Sequence, residues 1–360
     1  MVVAAAIDHR ALGAAARQDW PPFVLVTGLL LIGVVAKDEG IFDLAGTLIA
    51  RIGRSGTSLL LCTSALVALV TVTLNLDTSV TFLTPVVLAA ARRQRRDPEP
   101  FVYLVVWMSN GASLLLPGSN LTNLIVLDET RTSGTAFVAH VAAPWAASVV
   151  AVVVLVTLLF RSRITRADRG EPLAHRRARL GPGVFGVAGA VAAMVALPGG
   201  EAAPVVLSIG VVLETWHLIT RRPGVPAVVH QLNVPLLVGL FGMASTLGTV
   251  GRAWSGPAHL LGHIGTWQTA GIGAGASIVV NNLPAASLLA ARPVAHEAAL
   301  LIGLNLGPNL ALSGSLAGVL WFQTCRAAGW TPSIRRFSYL GLAVVPITMA
   351  ASLGALSLSH

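Results

Sequence analysis

Apolar residues run along this chain in long blocks, and the charges collect in short stretches between them. A block of about 17–25 apolar residues crosses a bilayer core of roughly 30 Å as a helix. Uninterrupted blocks predict spans over 22–40, 137–160, 183–198, 203–220, 233–250 and 337–357. Four further blocks are apolar but carry polar residues near their middle: 57–91, 101–127, 257–291 and 296–324. The stretch 41–54 has one apolar and one polar face and predicts an amphipathic helix lying at the membrane interface.

The blocks recur in one order. A span (22–40, then 233–250) leads to an interrupted block (57–91, then 257–291), a second interrupted block (101–127, then 296–324) and a plain span (137–160, then 337–357). GASLLLPGS (111–119) lies over GPNLALSGS (307–315) without a gap, and Asn75-Leu76-Asp77 has a counterpart in Asn281-Asn282-Leu283-Pro284. Such self-similarity is the signature of an internal repeat. We therefore divide the chain into a first repeat, 1–160, a basic loop with two linking spans, 161–232, and a second repeat, 233–360.

Charge supplies the orientation. Of the 24 Lys and Arg residues, 18 fall in stretches that one arrangement brings to the cytoplasm: Arg51, Arg54, Arg92, Arg93, Arg95, Arg96, the run Arg161, Arg163, Arg166, Arg169, Arg176, Arg177, Arg179, then Arg221, Arg222, Arg326, Arg335 and Arg336. That arrangement makes 57–91 and 257–291 re-entrant hairpins that leave by the side they enter. It turns the two repeats upside down relative to each other. Full crossings would split the basic clusters between the two sides, against the positive-inside rule. The expected fold class is thus an all-α integral membrane protein of inverted-repeat type, with two re-entrant hairpins and two broken transmembrane helices.

Composition agrees. Hydrophobic residues are 54% of the 360 positions and charged residues 11%, against roughly 25% charged in a soluble domain. The net charge of +9 is accounted for by the orientation signal, so nucleic acid is not an expected partner. Cys62 and Cys325 lie in or at the end of apolar blocks with no CxxC spacing. The first ten residues, MVVAAAIDHR, lack the apolar run of a cleaved signal peptide. With no HExxH, GxSxG or P-loop pattern, enzymatic and ATP-driven readings have no support.

Irregular backbone cannot face lipid, so matching polar breaks mark places buried in protein or lining a watery cavity. At the tip of the first hairpin lie Asn75, Asp77, Thr78 and Ser79. A carboxylate at membrane depth costs at least about 2.5–3.5 kcal/mol and is a functional candidate by default; Asp77 is the expected proton carrier. The alternative for Asp77 is a helix cap at Thr78. In the first broken span stand Ser109, Asn110, Ser113, Gly118, Ser119, Asn120, Thr122 and Asn123, whose oxygens can hold a cation or a solute. Their bland alternative is interhelical polar contact and small-residue packing. The second half mirrors these with Asn281 and Asn282 at the hairpin tip, then Asn305, Gly307, Asn309, Ser313, Gly314 and Ser315 in the broken span; no carboxylate lies in this half of the expected site. His259 and His263 have the i, i+4 spacing of a metal pair but no third ligand nearby, so interfacial histidines and no metal are expected.

LNLDTSVTFLTPV, LPGSNLTNLIVL, VVNNLPAASLL and NLGPNLALSGSLAGVLW, in this order and spacing, resemble the arsenite/antimonite permeases of the ion transporter superfamily, which also holds the dicarboxylate and citrate carriers. The likeness runs from about Pro21 onward. Two positions depart from the permease pattern: Asn75-Leu76-Asp77 stands in place of an adjacent Asn-Asp, and Asn305 and Asn309 in place of an Asp and a Lys. The resemblance implies a multi-pass protein of the plasma (inner) membrane with no cofactor and with H+ or Na+ as coupling ion. It further implies proton-coupled efflux of arsenite or antimonite, with solute and ion held by Asp77, Asn120, Asn123, Asn281, Asn282, Gly307, Asn309 and Ser315. An organic-anion carrier for dicarboxylates or citrate is the rival reading, and a non-transporting membrane scaffold subunit the rival from another class. Expected partners are the lipid bilayer and a small inorganic oxyacid or anion as substrate; a homodimer and an ATPase subunit stay open.

Overall fold

The computed structural model describes residues 8–127, 134–165, 181–197, 201–221 and 234–359. Arg166, Arg169, Arg176, Arg177, Arg179 and Arg222 of the basic clusters lie outside the described residues, as do position 198 of one expected span and position 233 of another. The described chain is helical and contains no strand. Six of its helices are long and apolar enough to cross a membrane.

Helix α1 (His9–Asp38) begins well before the expected start at 22, because Asp8 caps it by accepting from the N–H groups of Arg10 and Ala11. Pro21 and Pro22 are carried inside the helix. Neither proline can donate a backbone hydrogen bond, a loss that membrane helices tolerate when neighbouring helices compensate. After the interfacial helix α2 (Ile41–Ile52) come α3 (Gly56–Thr73) and α4 (Leu76–Arg93), which form the first hairpin. The first broken span is α5 (Glu99–Ala112), a 3-10 turn at Pro117–Ser119, and α6 (Leu121–Leu127). Helix α7 (Gly134–Leu159), the short α8 (Arg161–Ile164), α9 (Gly183–Ala196) and α10 (Ala202–Arg221) follow.

In the second half, α11 (Val234–Ala253) precedes a stretch that differs from its expected form. Residues 257–291 hold a separate short helix, α12 (Gly256–His263), before the hairpin of α13 (Thr266–Val280) and α14 (Asn282–Leu289). The chain turns at Ile264 and Gly265, both in extended backbone, so the hairpin starts only at Thr266. The second broken span is α15 (Glu297–Leu306), 3-10 turns at Gly307–Leu310 and Leu312–Gly314, and α16 (Leu316–Ala327); α17 (Ile334–Leu358) ends the fold.

Contacts fix which helix ends lie together. Gln94 donates to the Ala50 carbonyl, Arg96 to the carbonyls of Ile164 and Thr165, and Arg92 to those of Ala328 and Gly329. Gly56 packs directly on the Ile164 carbonyl. Both ends of the first hairpin therefore meet at Ile164. Glu99, in the first turn of α5, joins Arg163 and, at 2.8 Å, Arg336 at this same end. The second hairpin has its ends at the opposite end of the molecule. There Arg292 donates to the Arg252 carbonyl, and Gly265 and Thr266 line one cleft with His140, His296 and Leu356. Lys37, Arg51, Arg54, Arg92, Arg93, Arg95, Arg96, Arg161, Arg163, Arg326, Arg335 and Arg336 gather at the first end, whereas Arg10, Arg17, Arg252 and Arg292 lie at the other. The positive-inside rule associates an arginine-rich end with the cytoplasm.

The core is built on two helices that see almost no surface. Every residue of α5 is buried, and so is every residue of α15 from Ala298 onward. Around α5 a ring cluster of Tyr103, Trp107, Phe160, Trp321 and Phe337 fills the arginine-rich end. Helix α1 crosses α10 where side chains vanish: a Cβ on Gly28 would stand 2.6 Å from the Leu207 nitrogen. Small residues at such crossings let backbones approach, the usual way helices associate without a hydrophobic driving force between them.

Candidate functional site

Each hairpin tip lies against the break in its neighbouring broken span. The first hairpin breaks at Leu74–Asn75, between α3 and α4, and the Asn75 side chain caps α4 by accepting from Thr78 N–H at 2.7 Å. Asp77 is not the cap. It sits in the first turn of a helix that already starts at Leu76, 2% exposed, with Oδ1 lacking a hydrogen-bond partner. Close by, Ser119 of the 3-10 turn donates to the Val72 carbonyl at the end of α3, and Ser79 accepts from Ser109 of α5 at 3.2 Å. The N-terminal starts of α4 and α6 are thereby brought side by side.

The second hairpin breaks at Asn281, whose φ of 78° is a left-handed value that costs a non-glycine residue about 1–3 kcal/mol. Its side chain compensates locally, accepting from Leu283 N–H and donating to the Ser313 carbonyl at 3.0 Å. Ser315 caps α16 by accepting from Gly318 N–H. Here the starts of α14 and α16 lie together. Asn282 and Ser315 are buried, Ser313 is exposed, and a cleft between α11 and α13, lined by Met243, Thr246, Val279, Asn281 and Ser313, leads to this tip.

Between the two broken spans runs a buried amide and hydroxyl network. Asn305 Oδ1 accepts from Ser113 Oγ at 2.7 Å and from Asn120 Nδ2, and its Nδ2 donates to Asn123 Oδ1 at 2.9 Å. Asn110 donates to Asn309 Oδ1 at 2.8 Å, and Asn123 also holds the carbonyls of Ser113 and Leu116 where the first broken span is open. Asn120 Oδ1 takes both the N–H and the hydroxyl of Thr122. Residues nearly two hundred positions apart in the chain thus share one set of hydrogen bonds. Gly118, Gly307 and Gly314 stand outside this network: a Cβ at each would collide with Met194, with Ala274 and Ser277, or with Pro308, so what they permit is close packing.

Two polar residues on α1 went unnoticed in the sequence because α1 was expected to begin after them. Gln18 Nε2 donates to the carbonyls of Ile125 and Ala290, the C-terminal ends of α6 and α14, while its Oε1 accepts from Arg252 at 2.6 Å. Asp19 Oδ1 accepts from Ser287 of α14 at 3.0 Å, so a carboxylate does lie against the second hairpin. The signal available was Asp8, a capping residue that would have carried the helix back past both. His259 and His263 stack on each other, with His263 Nδ1 on the His259 carbonyl. Among the described residues no group of three His, Cys, Asp or Glu side chains could share a metal ion.

A chain of apolar helices with polar breaks meeting inside is suited to passing a solute, and the known proteins it matches agree. Two mycobacterial proteins, each named an uncharacterized transporter, one of Mycobacterium bovis and one of Mycobacterium tuberculosis, are each 25% identical to this chain over 372 aligned positions, 92% of this chain and 84% of the relative. The pattern of the citrate transporter family matches residues 1–317. The protein is a multi-pass membrane transporter and belongs to the citrate transporter family.

Proposed function

We propose that the protein is a secondary active carrier of small organic anions, with citrate-like carboxylates as the substrate class and a proton or sodium ion as the coupling ion. The observation that carries this reading is the pairing of helix starts, α4 with α6 and α14 with α16, in a chain of the citrate transporter family. A helix N-terminus presents unsatisfied N–H groups and about half a positive charge. Two such starts at one point favour an anionic oxygen, and in secondary transporters half-helix N-termini face anionic substrate groups.

The two pairs differ in charge. The α14/α16 pair brings Asn281, Asn282, Ser313 and Ser315 and no carboxylate at the tip, which suits a substrate carboxylate. The α4/α6 pair brings Asp77, which repels an anion and attracts a cation. Asp77, with Asn75, Thr78, Ser119 and Asn120 around it, is the coupling-ion side, and its carboxylate takes the proton or the sodium ion. Asn110, Ser113, Asn120, Asn123, Asn305 and Asn309 bond the two broken spans to each other, Thr122 holds Asn120, and Ser109 ties the first broken span to the first hairpin, so a shift of one broken span is felt by the other. Alternating access follows if the hairpins and broken spans move together against the plain spans within the plasma membrane.

A second reading, proton-coupled efflux of arsenite or antimonite, draws on the uncharged character of the Asn305 network, since a neutral trihydroxy acid needs only donors and acceptors. Family membership favours the organic anion. Purified protein in proteoliposomes, loaded with a pH or sodium gradient and offered labelled citrate, succinate or arsenite in turn, decides between them. Uptake above empty vesicles that vanishes in Asp77→Asn supports the proposal. Movement of arsenite alone transfers the assignment to the second reading, and movement of none of these solutes removes both and leaves the scaffold.

A further inference from the structure

A buried carboxylate on a membrane helix is costly unless it is paired or takes up a proton. Glu214 of α10 is 4% exposed, and neither Oε1 nor Oε2 has a hydrogen-bond partner. Three residues on, along the same helix face, His217 is 5% exposed with Nε2 3.1 Å from Oδ2 of Asp38, the last residue of α1. Helix α10 turns this face to α1, while Trp216 and Ile219 on its other side are largely exposed. Asp38 is the member of the group that reaches water, at the arginine-rich end.

The charged surroundings are few. His217 and Asp38 both act electrostatically on Glu214. From α1, Lys37 lies over the Phe82 ring and Glu39 receives the Gly183 N–H at the start of α9. Helix α9 itself carries no titratable side chain. A carboxylate used to tie helices together would have donors on its oxygens, and Glu214 has none. As an anion it is an uncompensated charge between α1 and α10; as a carboxylic acid it is neutral, next to a group that can take the proton from it.

We propose that Glu214, with His217 and Asp38, forms a proton-binding site distinct from the paired helix breaks, exchanging protons with water at the arginine-rich end. On rotation of its side chain toward His217, or through one bridging water, the Glu214 carboxyl passes its proton to the His217 ring nitrogen that does not face Asp38, giving an imidazolium beside Asp38, and from there the proton goes to water; the reverse sequence reloads it. The site stands whatever solute the carrier moves, so its test does not use transport.

The full-length protein in lipid vesicles is titrated with pH while the C=O stretch of protonated carboxyl groups is followed by infrared spectroscopy. The native protein is expected to show such a band, lost as pH rises. Glu214→Gln removes one component of it and leaves any part due to Asp77, Asp77→Asn keeps the Glu214 component, and His217→Asn moves the midpoint of that component's titration. A Glu214→Gln spectrum identical to the native one at every pH overturns the proposal. If Glu214→Gln is not recovered folded, His217→Asn decides alone: a moved midpoint supports the site and an unmoved one overturns it.

Discussion

Asn305→Leu removes the hub of the buried network while keeping a side chain of similar shape. Three interhelical hydrogen bonds are lost, those with Ser113 Oγ, Asn120 Nδ2 and Asn123 Oδ1. Ser113 still donates to the Asn110 carbonyl, but Asn120 Nδ2 is left with a contact of 3.5 Å to Ser113, and Asn123 Oδ1 loses its donor. Interhelical hydrogen bonds in membrane proteins average about 0.6 kcal/mol, so three contribute about 2 kcal/mol. Two orphaned buried groups at roughly 1 kcal/mol each, the low end for an unsatisfied partner, give the same figure. Two kcal/mol is a factor of about 30 in the unfolding equilibrium. Reversible unfolding of purified protein in mixed micelles measures it, with Val279→Ala, at an 81% exposed position, as the reference substitution. If Asn305→Leu unfolds no more readily than Val279→Ala, the network is not holding the two broken spans together and the coupling argued from it fails.

Gly28→Ala forces a Cβ to within 2.6–2.7 Å of the Leu207 and Val206 backbone, so α1 and α10 must move apart; overpacking of this kind costs typically about 1–3 kcal/mol, and an unchanged unfolding midpoint would mean that the helices do not cross there. Gln18→Leu releases the carbonyls of Ile125 and Ala290 and takes one acceptor from Arg252, which keeps its bond to the Gly248 carbonyl; three bonds at roughly 0.6–1 kcal/mol each should lower stability by about 2–3 kcal/mol. The same substitution should raise the thiol reactivity of a cysteine placed at Ala290; unchanged reactivity would show that Gln18 does not hold the end of the second hairpin.

That the protein is helical and belongs in a membrane was legible in the length and spacing of its apolar blocks, because bilayer thickness imposes both. Where α1 begins was not legible from hydropathy: Gln18 and Asp19 precede the span expected over 22–40, and only their partners Ile125, Ala290 and Ser287, remote in sequence, explain why they are buried. Asp77 stood out as an isolated carboxylate, whereas the choice of Asn75 as the cap depends on where the helix starts, a matter of one or two residues that composition does not resolve. The meeting of Asn305 with Ser113, Asn120 and Asn123 depends on how the two broken spans pack, which no local pattern encodes. The motif resemblance led to a superfamily built on broken helices; the family match then narrowed it toward citrate transporters, since amides and hydroxyls at helix breaks can serve an oxyacid or a carboxylate alike.

The claim on which the account rests is that the two hairpins enter the protein from opposite faces, each with its tip against a broken span, and that the two broken spans are joined by one network. Single cysteines at Arg54 and Arg95, which flank the first hairpin, and at Trp267 and Pro293, which flank the second, test it in a background with Cys62 and Cys325 replaced by alanine. Labelling of sealed inverted and right-side-out vesicles with a membrane-impermeant maleimide should modify positions 54 and 95 from the cytoplasmic side only and positions 267 and 293 from the outside only. Modification of 54 and 95 from different sides, or of all four from one side, would contradict it.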